Sequence, residues 1–189
     1  MPLELPPFDE SLLELSTNGQ VCPVYTMPLH ELRLEEFCRE NQIACYLPLK
    51  KVWKTLSQTH NGKRYRYPRE VLRPMFPSYI FAKLDADQRA LLFRSNSVTR
   101  IIGVDDQEHL LEELQTVRKL EQLGLAQELE FDNSIKEGDK FFIESGPLQG
   151  TYGWLKKKGR HFVWSVEIEC VGTVVKATID PLEYKMRKV

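Results

Sequence analysis

The chain has 189 residues, of which 42% are hydrophobic and 28% charged. This composition is typical of a folded globular protein and excludes the disordered and fibrous classes. The length predicts one medium domain followed by a small one. The formal net charge is −1, from 26 basic and 27 acidic residues. The chain is therefore not of the class that coats nucleic acid, and any such contact must come from a local patch.

The sequence carries no targeting, membrane or metal-binding signal. The first twenty residues lack a basic start followed by an apolar core, and no stretch approaches about 18 uninterrupted apolar residues, which predicts a cytoplasmic protein without a membrane partner. The cysteines form no C-x-x-C pair and no histidine lies at finger spacing beside them, so we expect free thiols, no metal and no cofactor. The four cysteines are Cys22, Cys38, Cys45 and Cys170.

The N-terminal part predicts a leader, a strand and a helix. Residues 1–20 contain three prolines and scattered acids, which indicates a flexible leader. Val21 to Thr26 is an apolar, β-prone run and predicts a strand. Leu29 to Glu40 places Leu34 and Phe37 on one helical face, which predicts an amphipathic helix.

A β-hairpin arm is predicted next. The apolar run Ile43 to Leu49 continues through Val52-Trp53 to a break with an Asn-Gly turn signal at residues 61–62. The returning limb, Lys63 to Arg73, is basic and contains two tyrosines. We expect the two limbs to pair with one another.

Four further elements complete the first domain, which we place at residues 21–123. Ser78 to Leu84 and Ile101 to Val104 predict strands, whereas Asp85 to Arg94 and Asp106 to Leu123 predict helices. This order predicts an α+β fold, a sandwich in which helices flank a mainly antiparallel sheet.

The composition and the hydrophobic pattern of the chain change after residue 123. Residues 124–134 are polar and acidic without periodicity, which predicts a linker. Residues 135–189 divide into short β-branched or aromatic runs separated by glycines, which predicts a small closed or nearly closed barrel of five strands. β-Branched residues are frequent between Phe162 and Ile179 and disfavour a helical hairpin there. We expect the barrel to be flexibly linked and not to occlude the first domain.

Two segments of the chain resemble the NusG family of bacterial elongation factors. Arg73 to Phe81, R-P-M-F-P-S-Y-I-F, is similar to the family's F-P-G-Y strand, and Phe93 to Gly103 follows it at the family's spacing. Gly138 to Gly150, G-D-K-F-F-I-E-S-G-P-L-Q-G, is similar to the KOW motif that opens the family's C-terminal barrel. The resemblance implies an NGN-like domain that binds RNA polymerase at the clamp helices of its largest subunits, followed by an SH3-like barrel.

The chain also departs from the family pattern. Val21-Cys22 stands where the family usually has Trp-Tyr, Ser78 replaces the usual Gly, and the stretch before Val98 lacks the common Pro-Gly. These departures favour a specialised, RfaH-like or capsule-locus paralogue over the general factor. Both remain open from the sequence.

The resemblance implies a polymerase-facing surface with aromatic residues. Val24, Tyr25, Phe76 and Tyr79 are the candidates, since exposed aromatic pairs provide large, rigid contact areas. The alternative is that Phe76 and Tyr79 are core aromatics. With the resemblance, we expect at least one of the two to face the partner.

The basic limb is the candidate for contact with non-template DNA in the transcription bubble. Cations can meet phosphates while the interleaved tyrosines stack on unpaired bases; a solvated hairpin limb is the alternative. The candidates are Lys63, Arg64, Arg66, Arg69 and Arg73, with Arg94 and Arg100 as weaker ones.

In the KOW segment, Gly146, Pro147 and Gly150 are assigned to a turn. Leu148, Thr151 and Tyr152 are expected on an exposed loop that meets a ribosomal protein or a termination factor, as the resemblance implies.

The sequence contains no catalytic motif of the common kinds, and we expect no enzyme. We expect a monomeric transcription elongation or antitermination factor that suppresses pausing or termination. The alternative is a ribosome-associated RNA-binding protein whose KOW barrel contacts rRNA.

Overall fold

The computed structural model describes residues 5–16, 19–60, 62–124, 139–158 and 161–189. It contains three α-helices, two larger antiparallel sheets and a two-stranded ribbon. The elements in chain order are β1 (Gln20–Thr26), α1 (Glu31–Glu40), β2 (Cys45–Tyr46), β3 (Leu49–His60), β4 (Lys63–Pro74), β5 (Tyr79–Leu84), α2 (Ala86–Phe93), β6 (Val98–Ile101), α3 (Gln107–Gln122), β7 (Asp139–Ser145), β8 (Tyr152–Lys158), β9 (His161–Ile168), β10 (Thr173–Ile179) and β11 (Lys185–Lys188).

The first sheet has the strand order β2-β5-β1-β6, and its strand pairs are antiparallel. Both of its faces are covered. Val21 and Phe81 belong to the cluster that includes the apolar side of α3, whereas Val24 and Ile80 pack with residues of α1 and α2. Because successive side chains of a strand point to opposite faces, the central strands read as nearly continuous apolar runs. The mixed α/β architecture predicted for this region is present.

Residues of the predicted flexible leader pack against this sheet. Leu12 is fully buried in a 3₁₀ turn, and the ring of Phe8 meets that of Tyr46 edge-on with centroids 4.9 Å apart. Lys83 Nζ donates hydrogen bonds to the carbonyls of Ser11 and Glu14 at 2.8 and 3.0 Å. The prediction of a disordered leader is therefore wrong for residues 5–16.

The strand predicted at Ile101 to Val104 lies earlier in the chain. β6 starts at Val98 and pairs with the end of β1, where Val24 lies opposite Ile101 and Thr26 opposite Val98. β6 is an edge strand of the sheet, so its polar, exposed residues concealed the strand in the sequence. Ile101, the first residue of the predicted strand, is the last residue of β6.

The arm forms as predicted. β3 and β4 pair residue by residue from Leu49 opposite Pro74 to His60 opposite Lys63. Asn61, the first residue of the predicted turn signal, lies outside the described residues.

The second sheet has the strand order β10-β9-β8-β7-β11. Five strands were predicted, but the described residues form an open sheet in which β10 and β11 are edges, so the predicted closure into a barrel is not observed. Trp164 is the largest fully buried side chain of this region. Residues of β9 and β10 are extended, as their β-branched side chains predicted.

The second sheet packs on one side of α3. Leu114 and Leu120 of α3 share a buried cluster with Trp164 and Val166 of β9, and Lys119 Nζ donates a hydrogen bond of 2.5 Å to the carbonyl of Gln149. We predicted that the C-terminal strands would not occlude the first domain. The second sheet does cover one side of α3, so that prediction is wrong for this helix. Apart from Gly124, the predicted linker at 124–134 lies outside the described residues, and the domain boundaries remain a prediction.

Candidate functional site

One end of the first sheet brings the candidate residues together. β1 ends at Thr26, β5 begins at Tyr79, and β2 ends at Tyr46, just before the arm. Because β5 runs antiparallel to both β1 and β2, these three positions lie at the same end of the sheet. The arm and the start of β5 therefore leave the sheet as neighbours.

Tyr25 and Tyr79 form an aromatic pair at this end. The two residues lie directly opposite one another in β1 and β5. Their ring centroids are 5.1 Å apart at an interplanar angle of 55°, and both side chains are partly exposed. The guanidinium of Arg100, on the neighbouring strand β6, lies 5.6 Å from the centroid of the Tyr25 ring. This arrangement presents aromatic surface beside a cation, within the range of cation–π attraction.

The residue before Tyr79 has a left-handed backbone conformation, and a buried carboxylate accepts a hydrogen bond from its N–H. Ser78 has a φ of +65°, a conformation that glycine adopts without steric cost, so glycine suits this position better. The Ser78 N–H donates a 2.7 Å hydrogen bond to Glu31 Oε1, and its carbonyl accepts a 2.8 Å bond from the Thr26 N–H. Glu31 thereby fixes the turn that places Tyr79. Sequence reasoning missed Glu31, whose only signal was an acid in the first turn of α1.

Phe76 and Val24 do not belong to the exposed surface. Phe76 is only 1% exposed and packs edge-on against Phe81 at 5.8 Å between centroids, and Val24 is fully buried. Strand alternation explains the difference between Val24 and its neighbour Tyr25, because their side chains point to opposite faces. We correct these two predicted contact residues to core residues, as the alternative for Phe76 had it.

Exposed apolar side chains that the sequence did not single out follow β1 at the same end. Leu29 is 86% exposed and has a φ of +66°, and Met27 and Leu32 are also exposed. Met27 and Leu29 lie between β1 and α1, and Leu32 lies in the first turn of α1. Single exposed apolar residues are common, so their signal in the sequence was weak.

Five of the seven residues predicted to bind nucleic acid lie on the arm, and the other two lie elsewhere. The five candidates on β4 are exposed, as are Tyr65 and Tyr67. Trp53, on β3, is 73% exposed and was not a candidate. Arg94 caps the C-terminus of α2, and Arg100 lies beside Tyr25, so neither belongs to the arm.

The root of the arm is fixed by a buried carboxylate on α3. Glu121 accepts hydrogen bonds from the Tyr46 hydroxyl at 2.9 Å, from Arg118 Nη1 at 2.6 Å and from the Leu49 N–H at 2.7 Å. Burial, and then the neighbouring Glu121 carboxylate, raise the pKa of Tyr46 well above its ordinary value, so its hydroxyl stays a donor. The guanidinium of Arg118 lies 4.6 Å from the Phe8 ring centroid. This network joins α3, the first residue of β3 and the leader.

The loop between β7 and β8, where the resemblance implied partner contacts, is less exposed than predicted. Leu148 is fully buried and Thr151 nearly so, with the Thr151 hydroxyl donating a 2.8 Å hydrogen bond to the Leu148 carbonyl. Only Tyr152 of the predicted partner-binding residues is exposed, at 42%. The predicted contact roles of Leu148 and Thr151 are therefore wrong, because the loop folds back onto its own sheet.

Two glycines shape this loop. Gly146 and Gly150 have φ values of +108° and +80°, in the region that favours glycine. A Cβ on Gly146 would lie 2.7 Å from the Glu183 carbonyl oxygen. Pro147 stands between them in the turn.

A cavity of about 390 Å³ lies between α3 and the second sheet near this loop, beside their packed contact. Its walls mix the acids Glu112 and Glu113 with Lys119 and Lys140, next to the Trp154 indole. Among the described residues, no three His, Cys, Asp or Glu side chains lie close enough together to hold a metal ion. Within the same residues, no helix is long and apolar enough to span a membrane.

The comparison with known families decides the relationship. The family described as "Transcription termination factor nusG" matches residues 23–120, just over half of the chain. The chain belongs to the NusG family. NusG proteins are non-enzymatic transcription elongation and termination factors that bind RNA polymerase. No curated protein matches the chain. The matched residues contain the aromatic pair, the arm and α3 up to Leu120.

Proposed function

We propose that this NusG-family protein binds elongating RNA polymerase through the surface formed by Tyr25 and Tyr79, and suppresses pausing or termination without chemistry of its own. The aromatic pair carries the proposal. It is partly exposed, it lies at an open end of the sheet, and it occurs inside the residues that match the family. Rigid aromatic side chains at the centre of an interface typically contribute a large share of its binding energy.

The partner in this proposal is the clamp-helix region of the largest polymerase subunits. A helix tip presents apolar and charged side chains together, and the tyrosine pair offers apolar ring faces with the Arg100 guanidinium alongside. The exposed apolar residues Met27 and Leu29 extend the contact area at the same end of the sheet. A protein held across the clamp in this way keeps it closed and disfavours the opening that accompanies pausing.

The other surfaces take secondary roles. The basic arm, which starts at the same end, contacts nucleic acid of the transcription bubble. The C-terminal sheet recruits a ribosomal protein or a termination factor, with Tyr152 as its exposed aromatic contact. The departures at Val21-Cys22 and Ser78 support a specialised, operon-directed paralogue.

The test is polymerase binding by a Tyr25→Ala/Tyr79→Ala variant, measured by fluorescence anisotropy with purified core enzyme. Truncating a central interface aromatic costs about 2 kcal/mol or more, so we expect affinity to fall at least about 30-fold and pause lifetimes to return to those without the factor. The Tyr152→Ala variant removes an equally bulky exposed ring elsewhere and is expected to bind polymerase normally.

Two results would overturn the proposal. The first is unchanged polymerase affinity in the double variant with its circular dichroism spectrum intact. The second is recovery of ribosomal subunits without polymerase in a pull-down from nuclease-treated lysate, which would support the ribosome-associated alternative. Loss of the cooperative thermal transition in the double variant would instead assign the two tyrosines to the core.

A further inference from the structure

The arm is a two-stranded ribbon with no third strand beside it in the described part of the chain. From Lys63 to Arg69 every residue of β4 is exposed. A lone two-stranded hairpin is marginally stable in water, and three or more strands or a packing partner are usually needed. The length and exposure of the arm therefore indicate a surface that is completed by binding.

The strand register sorts the arm's side chains onto two different faces. Residues directly opposite in an antiparallel pair share a face, and successive residues alternate. Lys50 lies opposite Arg73, and Lys54 lies opposite Arg69. Tyr65 and Tyr67 have the same parity as Arg69 and therefore share its face. We call this the Arg69 face, and its cations and aromatic rings are Lys50, Lys54, Lys63, Tyr65, Tyr67, Arg69 and Arg73.

The opposite face of the ribbon carries an acidic residue among its cations. We call it the Arg66 face, and its charged and aromatic residues are Lys51, Trp53, Arg64, Arg66 and Glu70. The 3.2 Å hydrogen bond from Arg64 Nη2 to Ser57 Oγ lies on this face, in agreement with the register. Its cations are accompanied by the Glu70 carboxylate, whereas the register places no acidic residue on the Arg69 face.

The Arg69 face carries an electrostatic cost in the free protein. Like charges directly opposite one another destabilise a strand pair, and on this face Lys54 lies opposite Arg69. Among the described residues, neither Lys54 nor Arg69 forms a salt bridge that would offset this repulsion. A polyanion bound along the face removes this cost, since its charges neutralise both strands at once.

The two tyrosines favour a nucleic acid whose bases are unpaired. They lie two residues apart on one strand, which places them about 7 Å apart along the ribbon, and both are exposed. Aromatic side chains stack on the faces of unpaired bases with little sequence preference. In a duplex those base faces are already stacked, so this combination of rings and cations favours a single strand.

We propose that the arm binds single-stranded nucleic acid through the Arg69 face alone. Bases stack on Tyr65 and Tyr67, and phosphates meet Lys54, Arg69 and Arg73 nearer the root of the arm. The Arg66 face stays outside this contact. The proposed function enters only as the source of the strand, a transcription bubble held against the same end of the protein.

The experiment compares two matched variants of the full chain in an anisotropy titration with labelled oligothymidylate, oligouridylate and a duplex. One variant combines Lys54→Gln, Arg69→Gln and Arg73→Gln. The other combines Lys51→Gln, Arg64→Gln and Arg66→Gln on the other face. Each replaces one lysine and two arginines by the shorter, uncharged glutamine and so removes three positive charges, and far-UV circular dichroism checks that both fold.

We expect the Arg69-face variant to lose about tenfold or more in affinity for the single strands and to show a shallower salt dependence by about two units of slope. The Arg66-face variant should change less than about threefold. Tyr65→Ala/Tyr67→Ala should weaken single-strand binding, whereas Trp53→Ala should not. The oligothymidylate and oligouridylate titrations show whether the strand preferred is DNA or RNA.

Equal losses in the two charge variants, tighter binding of the duplex, or no single-strand binding by the wild-type chain would each overturn the inference. These outcomes are separate from failure of the proposed function. Tyr25→Ala/Tyr79→Ala is expected to lose polymerase and keep oligonucleotide binding, and the Arg69-face variant is expected to show the reverse.

Discussion

Replacement of Glu121 by alanine is expected to be the most destabilising single change at the root of the arm. The Glu121 side chain is 1% exposed, and its carboxylate accepts three hydrogen bonds between 2.6 and 2.9 Å. Alanine would leave the Arg118 cation without its buried partner and the Tyr46 and Leu49 donors without an acceptor. Breaking a buried ion pair from one side costs about 3–5 kcal/mol.

Thermal unfolding followed by circular dichroism measures this loss. For a chain of this size, 1 kcal/mol corresponds to about 2–4 °C in melting temperature, so we expect a decrease of roughly 6–20 °C. Hydrogen exchange of the Leu49 amide should accelerate as well, because its acceptor is the Glu121 carboxylate. Glu112→Ala, an exposed acid on the same helix, is the control and should stay within about 0.5 kcal/mol.

Two further variants separate charge from packing. Glu121→Gln retains the size and one oxygen acceptor but removes the charge, so an intermediate loss of about 1–3 kcal/mol is expected. Arg118→Met combined with Glu121→Met removes both charges and should recover much of the stability that Glu121→Ala loses. A loss below about 1 kcal/mol for Glu121→Ala would show that the carboxylate is solvated and would refute this reasoning.

Two other substitutions test packing away from the arm. Gly153→Ala would place a Cβ 2.6 Å from the ring of the fully buried Trp164, and we expect a loss of at least about 1–3 kcal/mol in thermal unfolding; Gly103→Ala, with open space around it, should be nearly neutral. Leu12→Ala should cost about 2–5 kcal/mol because the side chain is fully buried, whereas the exposed Leu15→Ala should cost little. A neutral Leu12→Ala would restore the interpretation of a flexible leader.

The sequence by itself determined most local structure and the family. The amphipathic pattern of α3, the capping box that starts α2 at Asp85 and the β-branched runs of β9 and β10 all act within a few residues, so they can be read without the fold. The R-P-M-F-P-S-Y-I-F segment indicates the NusG family without reference to the fold.

Exposure and pairing were decided only by the tertiary structure. From the sequence we expected at least one of Phe76 and Tyr79 to face the partner without knowing which. In the structure Phe76 is buried against Phe81, whereas Tyr79 is partly exposed and its ring contacts that of Tyr25. The sequence grouped the arm's arginines by proximity, whereas the register places Arg66 and Arg69 on opposite faces. The physical reason is that solvent exposure and cross-strand neighbours depend on which distant segment packs beside a residue, and no local pattern encodes that choice.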